Sequence, residues 1–325
     1  ENMPEGGYYG NEIIDIAKYI KEKYSDKKLD EDIEYFKKVA VDYLLDIIKK
    51  DLSDFKVTFD VWTSEKDIRS KGRIEESIKI LDEKGLVYKK DDALFLKTTD
   101  YGDDKDRVLV KTDGSYTYLV PDIAYHLDKF DRGFDYLVDV FGADHHSYVS
   151  RLKASIEALG YDKDKLEVRL LQMVRLLRDG EVVKMSKRTG GNITIRELVD
   201  EIGVDAARYF FASRSLDGQM DFDINLALKK SNENPFFYVG YAHARICSII
   251  NEANLKNIDF ATTYEKIYDV DSKALLLKVY DFSSIVEVSS SKKEPHLVTN
   301  YLYELASMFH NYYAKHRILT NDLVL

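Results

Sequence analysis

A single cysteine, Cys247, occurs in 325 residues, which excludes an internal disulfide and fits a reducing cytoplasm. No apolar run approaches the roughly 20 residues that a membrane-spanning helix needs, and the start carries no secretory leader pattern, so no membrane partner is expected. Basic charge is not in excess either. Lys and Arg number 48 against 58 Asp and Glu, a formal net charge of −10, and the isoelectric point is about 5.3. That balance excludes a general nucleic-acid coat but leaves local basic patches open. No G-x-G-x-x-G follows an expected strand, which removes a dinucleotide-binding oxidoreductase. Internal repeats and low-complexity tracts are lacking as well. The chain opens on Glu1 and not Met, as a processed product or a piece of a longer protein would.

What is present is an ordinary globular composition, 45% apolar and 33% charged, with a mean hydropathy of −0.37. The length suffices for two or three domains around a sizeable core. Helical periodicity runs through the first fifty residues, with Ile13, Ile14, Ala17 and Ile20 on one face and Ile33, Phe36, Ala40, Leu44 and Ile47 on another. The period then changes: Val57, Phe59 and Val61 alternate in KVTFDVW, which predicts a half-buried strand. GRIEESIKILDEKG predicts a helix with Ile74, Ile78 and Leu81 inward and Gly85 as its C-cap. Short strands are expected next: LVYKK and ALFLK around Asp91–Asp92, then RVLV and YTYLV around the Asp113–Gly114 turn.

From residue 136 the pattern becomes β-α-β. YLVDVFG reads as a continuous apolar strand, SYVSRLKASIEALG as an amphipathic helix ending at Gly160, and LEVRLLQMV as a second strand. A strand, a crossover helix and a parallel strand imply an α/β sheet whose ligands gather at the strands' carboxyl ends. GADHH and KMSKR both lie just past such ends. After ITIRELVDEIG and VDAARYFFASRS the sequence is almost wholly helical, which places a domain boundary near residue 222. SSIVEVSSSKKEP reads as an exposed connection.

The stretch EVVKMSKRTGGN sets Lys184, Lys187 and Arg188 close together in an acidic chain and follows them with Gly190 and Gly191. When a nucleoside triphosphate reacts at its α-phosphate, charge builds on the pentavalent centre and on departing pyrophosphate. Ammonium groups that engage mainly at that moment lower the barrier. Lys184 and Lys187 suit that role, Ser186 can donate to a phosphate oxygen, and the glycines give hinge freedom. The bland alternative is a solvated basic turn after the RDGE hairpin. As a whole string at a strand end, however, KMSKR resembles the second signature of class I aminoacyl-tRNA synthetases.

The surrounding text narrows the resemblance. VFGADHHSYVSRLKASIEALGYD, VRLLRDGEVVKMSKRTGG, GVDAARYFF and NPFFYVGYAHARICSI together resemble bacterial-type arginyl-tRNA synthetases over nearly the whole chain, with the cysteinyl type as nearest rival. The resemblance implies an α/β, Rossmann-like class I catalytic half with helical and β-hairpin insertions over 1–222 and an all-α helical-bundle anticodon-binding domain over 223–325. It implies ligation of arginine to tRNA(Arg) through arginyl-adenylate, with the tRNA bound before the adenylate forms. ATP and substrate-associated Mg2+ are the implied cofactors, a protein-bound metal is not expected, and the protein should be a cytoplasmic monomer. The family's first signature, H-x-G-H, which holds the ATP phosphates, occurs nowhere in these residues. VGYAHAR at 239–245 follows the lysine loop in a helical context and is only a look-alike. The family's N-terminal tRNA-elbow domain is missing too, and the C-terminus stops short of the usual last helix. The expectation is a large internal-to-C-terminal piece that does not arginylate alone. A non-catalytic RNA-binding protein on the same scaffold is the competing reading; the joint presence of Lys187, Tyr118 and Asp122 argues against it.

The resemblance also assigns residues. A guanidinium is planar and permanently charged, and its forked donors match a carboxylate. Asp122 and Tyr118 in YTYLVPDIAYH match the family's arginine-binding positions, with Pro121 resetting the backbone between a strand and a helix. On residue type alone, Asp122 serves equally as a helix cap. Lys184, Ser186, Lys187, Asp144, His145 and Met173 are the expected ATP contacts. Asp144, His145 and His146 are adjacent, a poor spacing for joint metal coordination, and capping by Asp144 is the plain alternative. The aromatic-rich last third, with Phe236, Phe237, Tyr238, Tyr241, Tyr301, Tyr303, Phe309, Tyr312 and Tyr313 at helical spacing, is expected to be mostly core. Unpaired RNA bases stack on aromatic and arginine planes, which makes Tyr241, Arg245, His310, Tyr313 and Arg317 the anticodon-binding candidates. Cys247 is expected to be a buried small apolar residue.

Overall fold

Two helices, α1 (Asn11–Tyr24) and α2 (Ile33–Asp54), open the chain, and the Asp32 carboxylate caps α2 by accepting from the Tyr35 N–H. The computed structural model describes residues 11–24, 31–183, 193–258 and 269–319. In chain order there follow α3 (Glu65–Ser70), α4 (Arg73–Glu83), β1 (Val87–Lys90), β2 (Ala93–Leu96), β3 (Arg107–Val110), α5 (Leu119–Asp131), β4 (Leu137–Gly142), α6 (His146–Leu159) and β5 (Leu166–Leu171). Then come β6 (Val174–Arg178), β7 (Glu181–Val182), α7 (Ile195–Ile202), α8 (Val204–Ala212), β8 (Met220–Asp223), α9 (Ile224–Leu228), α10 (Pro235–Leu255), α11 (Val270–Tyr280), α12 (Phe282–Lys292) and α13 (His296–Lys315). Of the described residues, those within Glu1–Thr58, Val174–Ser215 and Met220–Leu325 form one compact unit. Those within Phe59–Met173 and Leu216–Gln219 form another. No described helix is long and apolar enough to cross a membrane.

In the unit built on residues 59–173, β1, β2 and β3 form an antiparallel sheet. Its first turn uses Asp91 and Asp92, both at positive φ (49° and 57°), the two-residue geometry that matches strand twist. β4 and β5 pair in parallel from Leu137↔Leu166 to Gly142↔Leu171, with α6 between them in sequence. This is the expected β-α-β unit, and Gly160 ends α6 in the left-handed conformation (φ 103°). The core joins Ile74 and Leu81 of α4, Leu96, Leu109, Ile123 of α5, Leu152 and Ile156 of α6, and Leu166. Gly85 follows α4 at φ 70°, as a C-terminal glycine should.

In the other unit β6 lies between β7 (antiparallel) and β8 (parallel). Leu176, Leu198, Phe210 and Phe222 make its core. The helices α10 to α13 carry a smaller cluster of Ala242, Ala306 and Phe309, and Tyr301 is buried with them in the last helix.

Several expectations are corrected. Val57–Val61 forms no strand: Phe59 and Val61 are exposed, and Phe59 instead packs edge-on against Trp62 at 5.2 Å. Alternation without a neighbouring strand to complete the ladder does not make a strand. YTYLV contributes only a bridge, Val110↔Tyr116, because α5 already begins at Leu119. Pro121 is therefore inside the first helical turn, where its missing N–H costs nothing. Asp122 does not cap α5; Tyr118 occupies that position, without a side-chain hydrogen bond. In α1 and α2 the buried positions are Ile16 and Val39, while Ile13, Ile14, Ile33 and Ile47 are exposed. SSIVEVSSSK is helical in α12, and the connection shrinks to the residues around Lys293 at φ 56°. Cys247 is exposed, because it lies on the outer face of α10 beside His243, Sγ to Nε2 3.6 Å.

Candidate active site

A cleft of about 760 Å³ opens beside the start of α5. Tyr118, Leu119, Pro121 and Asp122 form one wall, and Phe141 of β4 with His145, Tyr148 and Arg151 forms the opposite one. Lys105, Arg107, Val108 and Thr117 from the β3 hairpin, with Glu65 of α3, close the remainder. The position of Asp122 follows from α5 itself. Val120, Ile123, Ala124 and Leu127 are buried, which turns the intervening Asp122 toward the cleft.

Asp122 is held from across the cleft by the Tyr148 hydroxyl, which donates to its Oδ2. Burial raises the Asp122 carboxyl above the usual carboxylate range. The Tyr148 hydrogen bond and nearby His126 oppose that shift, while Asp139 and Glu65 add to it. Burial and then Asp122 push the Tyr148 hydroxyl far upward, so it stays a donor. Among the described residues no lysine or arginine forms an ion pair with Asp122. Arg107, on the same cleft, is already engaged: its Nε and Nη2 donate to Asp103 at 2.6 and 2.8 Å. Burial pushes the Asp103 carboxyl up, but Arg107 and the Asp104 N–H outweigh it and hold the group well below the usual range. Arg151 has its guanidinium carbon 5.4 Å from the Tyr148 ring centre. An unpaired carboxylate with a fixed phenol donor, partly out of water, is suited to a ligand that brings its own positive charge. Tyr118, 87% exposed, stands at the mouth of the same cleft.

The nucleotide candidates divide. His145 lines the cleft, with its ring centre 5.8 Å from that of Phe141. Asp144 is exposed and lies 3.7 Å from His145 Nε2; it gives α6 no side-chain cap. Met173, 77% exposed, follows the carboxyl end of β5. Lys184, Ser186 and Lys187 lie outside the described residues. Before them, the β6–β7 turn places Asp179 and Gly180 at φ 54° and 79°. Asn225 holds that turn, accepting from the Asp179 N–H at 2.9 Å and donating to the Asp179 carboxylate at 3.0 Å. After them, Thr194 and Glu197 form a reciprocal capping box at the start of α7.

Four of the five RNA-facing candidates meet between α10 and α13. The Arg245 guanidinium carbon lies 4.5 Å from the Tyr241 ring centre and 4.8 Å from that of Tyr313. Arg245 donates from Nη1 to His310 Nδ1 at 3.1 Å and from Nη2 to the Tyr241 hydroxyl at 3.2 Å. His310 Nε2 donates to the Tyr238 carbonyl at 3.1 Å, which leaves Nδ1 as the acceptor. Arg317 lies past the end of α13 and shares a separate cleft with Tyr313 and Lys256.

Sequence reading did not pick out Glu65 or Tyr148 as site residues. Glu65 reaches the cleft from a distant part of the chain, which no local pattern records. Tyr148 could have been found, since it sits two residues past GADHH, in the first turn of α6 beyond the carboxyl end of β4.

Residues 9–223 match the family described as tRNA synthetases class I (R), catalytic domain, and residues 239–324 match the DALR anticodon binding domain. The arginine–tRNA ligase 1 of Halalkalibacterium halodurans is 48% identical over 99% of this chain. The arginine–tRNA ligase of Bacillus subtilis is 49% identical over 98% of it. The chain spans 59% and 58% of the lengths of these two relatives. A Campylobacter jejuni structure assigned as an arginyl-tRNA synthetase superposes with a TM-score of 0.89 at 33% identity, covering 99% of this chain and 71% of that one. The Thermus thermophilus arginyl-tRNA synthetase superposes at 0.72 with 17% identity, covering 94% and 62%, and shares the fold. With a matched catalytic domain over most of its length and a matched anticodon domain behind it, this chain belongs to the arginyl-tRNA synthetase family.

Proposed function

We propose that this chain serves in arginine–tRNA ligation: activation of arginine by ATP to arginyl-adenylate, then transfer to tRNA(Arg). The single observation that carries the amino-acid assignment is Asp122, a half-buried carboxylate held by Tyr148, with no lysine or arginine paired to it among the described residues. A guanidinium supplies the missing charge and two parallel donors. A cysteine side chain would leave that carboxylate uncompensated, which disfavours the cysteinyl reading. Tyr118 packs over the bound side chain at the mouth.

ATP, accompanied by Mg2+ on its phosphates, is read by the segment containing Lys184, Ser186 and Lys187 together with His145, Asp144 and Met173. Attack of the arginine carboxylate oxygen on the α-phosphorus forms the adenylate and releases pyrophosphate. The two lysines neutralise the charge that develops. Residues 223–325 take the anticodon arm, through the aromatic and arginine planes of Tyr241, Arg245, His310 and Tyr313, with Arg317 nearby. Residues 1–222 carry the catalytic part, and we place the protein in the cytoplasm as a monomer.

No H-x-G-H occurs in the sequence, so phosphate contacts of that kind must come from a longer chain. The test is arginylation of tRNA(Arg) with ATP and magnesium, by this chain and by one extended with an H-x-G-H segment from a relative. Activity is expected in the extended protein and should drop by at least about 100-fold in Lys187→Ala, the scale seen when one charge-stabilising donor is lost. Tight tRNA binding without arginylation in either chain would instead support a binding protein on the synthetase scaffold.

A further inference from the structure

His126 is 3% exposed and lies one turn after Asp122 in α5, outside the lining of the cleft. Its Nδ1 is 2.7 Å from the Asp122 carbonyl oxygen, and its Nε2 is 2.8 Å from Asp139 Oδ2. A carbonyl oxygen only accepts, so Nδ1 must carry a hydrogen and donate. Asp139, buried on β4, receives Lys129 Nζ on its other oxygen at 2.9 Å. Burial alone would raise the Asp139 carboxyl, but the bonds from His126 and Lys129 hold it below its ordinary value, as a carboxylate. A carboxylate paired with Lys129 only accepts, so Nε2, 2.8 Å from its other oxygen, donates as well. The ring spans two acceptors, one on the first turn of α5 and one on the neighbouring strand.

That first turn needs such a tie. Its leading N–H groups have no intrahelical acceptor, Tyr118 provides no side-chain cap, and Pro121 has no N–H to offer. The residue that faces the ligand thus sits on a turn held by the burial of Leu119, Val120 and Pro121 and by the Val120 N–H donating to the Thr117 carbonyl at 3.2 Å, with no side-chain cap. We propose that His126 is a positioning residue for the arginine pocket: by fixing the Asp122 carbonyl to β4 through Asp139, it sets the direction of the Asp122 carboxylate. The proposal rests on the reading of Asp122 as the guanidinium ligand. A bound carboxylate–guanidinium pair tolerates only a few tenths of an ångström of misplacement.

The experiment is calorimetric titration of the full chain with L-arginine, for wild type, His126→Gln, Asp139→Asn and the double variant, with a thermal melt of each. Roughly tenfold weaker arginine binding is expected in His126→Gln. The double variant should bind no more weakly than the worse single one, because both changes cut the same link. A melt lowered at unchanged arginine affinity would mean that His126 only packs, and would overturn the proposal. Should His126→Gln not fold, nitrogen-15 NMR of the wild type decides. Both ring nitrogens of His126 should carry hydrogen and shift on saturation with arginine; one bare nitrogen, or no shift, refutes the role. Wild type that binds no arginine at all would sink the reading of Asp122, and this proposal with it. Wild-type binding that survives His126→Gln sinks the proposal alone.

Discussion

Asp122 shows how a residue proposed to bind a ligand can work against the stability of its own fold. Burial raises its carboxyl above the ordinary value, so the folded chain holds that proton more tightly than the unfolded one. The stability it contributes is present in full below the unfolded value, near pH 4, and is lost as pH rises through the folded value. At neutral pH the charged group is therefore a burden in the absence of ligand. Asp122→Asn should melt higher than wild type at pH 7, and the gap should close as the pH falls to about 4. The same change should weaken arginine binding by roughly 100-fold, within the 2–5 kcal/mol typical of removing one partner of a hydrogen-bonded charge pair. A variant that melts lower at pH 7 with intact arginine affinity would refute both halves. The resemblance pointed to Asp122 and Tyr118, where residue type alone left a helix cap equally open. Neither could reveal Tyr148, Glu65 or the His126–Asp139 link, which arise only when α3, α5, β4 and α6 converge.

At the scale of elements, local chemistry was most legible where one residue dictates the backbone. The Asp91–Asp92 and Asp179–Gly180 turns and the glycines after α4 and α6 all fall where the sequence placed them. It was least legible where a segment needs a distant partner, as at Val57–Val61, or where polar composition masks a helix, as in α12. The junction between α9 and α10 is a further case of local chemistry. Asn234, 2% exposed, accepts from the Phe236 and Phe237 N–H groups and donates to the Ala227 and Lys229 carbonyls. Asn234→Ala removes the cap and strands two carbonyls, and should cost roughly 2–4 kcal/mol in denaturant unfolding. Asn234→Ser should recover about 1 kcal/mol of that by restoring the acceptor. A loss below about 0.5 kcal/mol for Asn234→Ala would mean that water replaces the clamp.

For the whole molecule, the division of labour makes a separable prediction. Arg245→Ala removes the guanidinium that Tyr241, Tyr313 and His310 surround, and should weaken tRNA(Arg) binding by about tenfold while leaving arginine binding alone. Asp122→Asn should do the reverse in filter-binding and calorimetric measurements. Loss of both ligands in either variant would argue against separate sites. Because the chain carries a net charge of −10, the proposed tRNA binding requires local cations, and its affinity should fall with added salt in proportion to the phosphates contacted. The sequence by itself determined the β-α-β unit and the turns, and a resemblance carried by specific strings pointed to the class of the fold and the family, because periodicity, turn residues and such strings act over short spans. Only the tertiary structure decided which apolar stripes are covered, that Cys247 faces outward, that Arg245 lies between two tyrosines, and that Asp122 meets Tyr148 across a cleft. Those outcomes depend on contacts between residues far apart in the chain, where burial and hydrogen-bond partners are set by packing and not by neighbours in sequence.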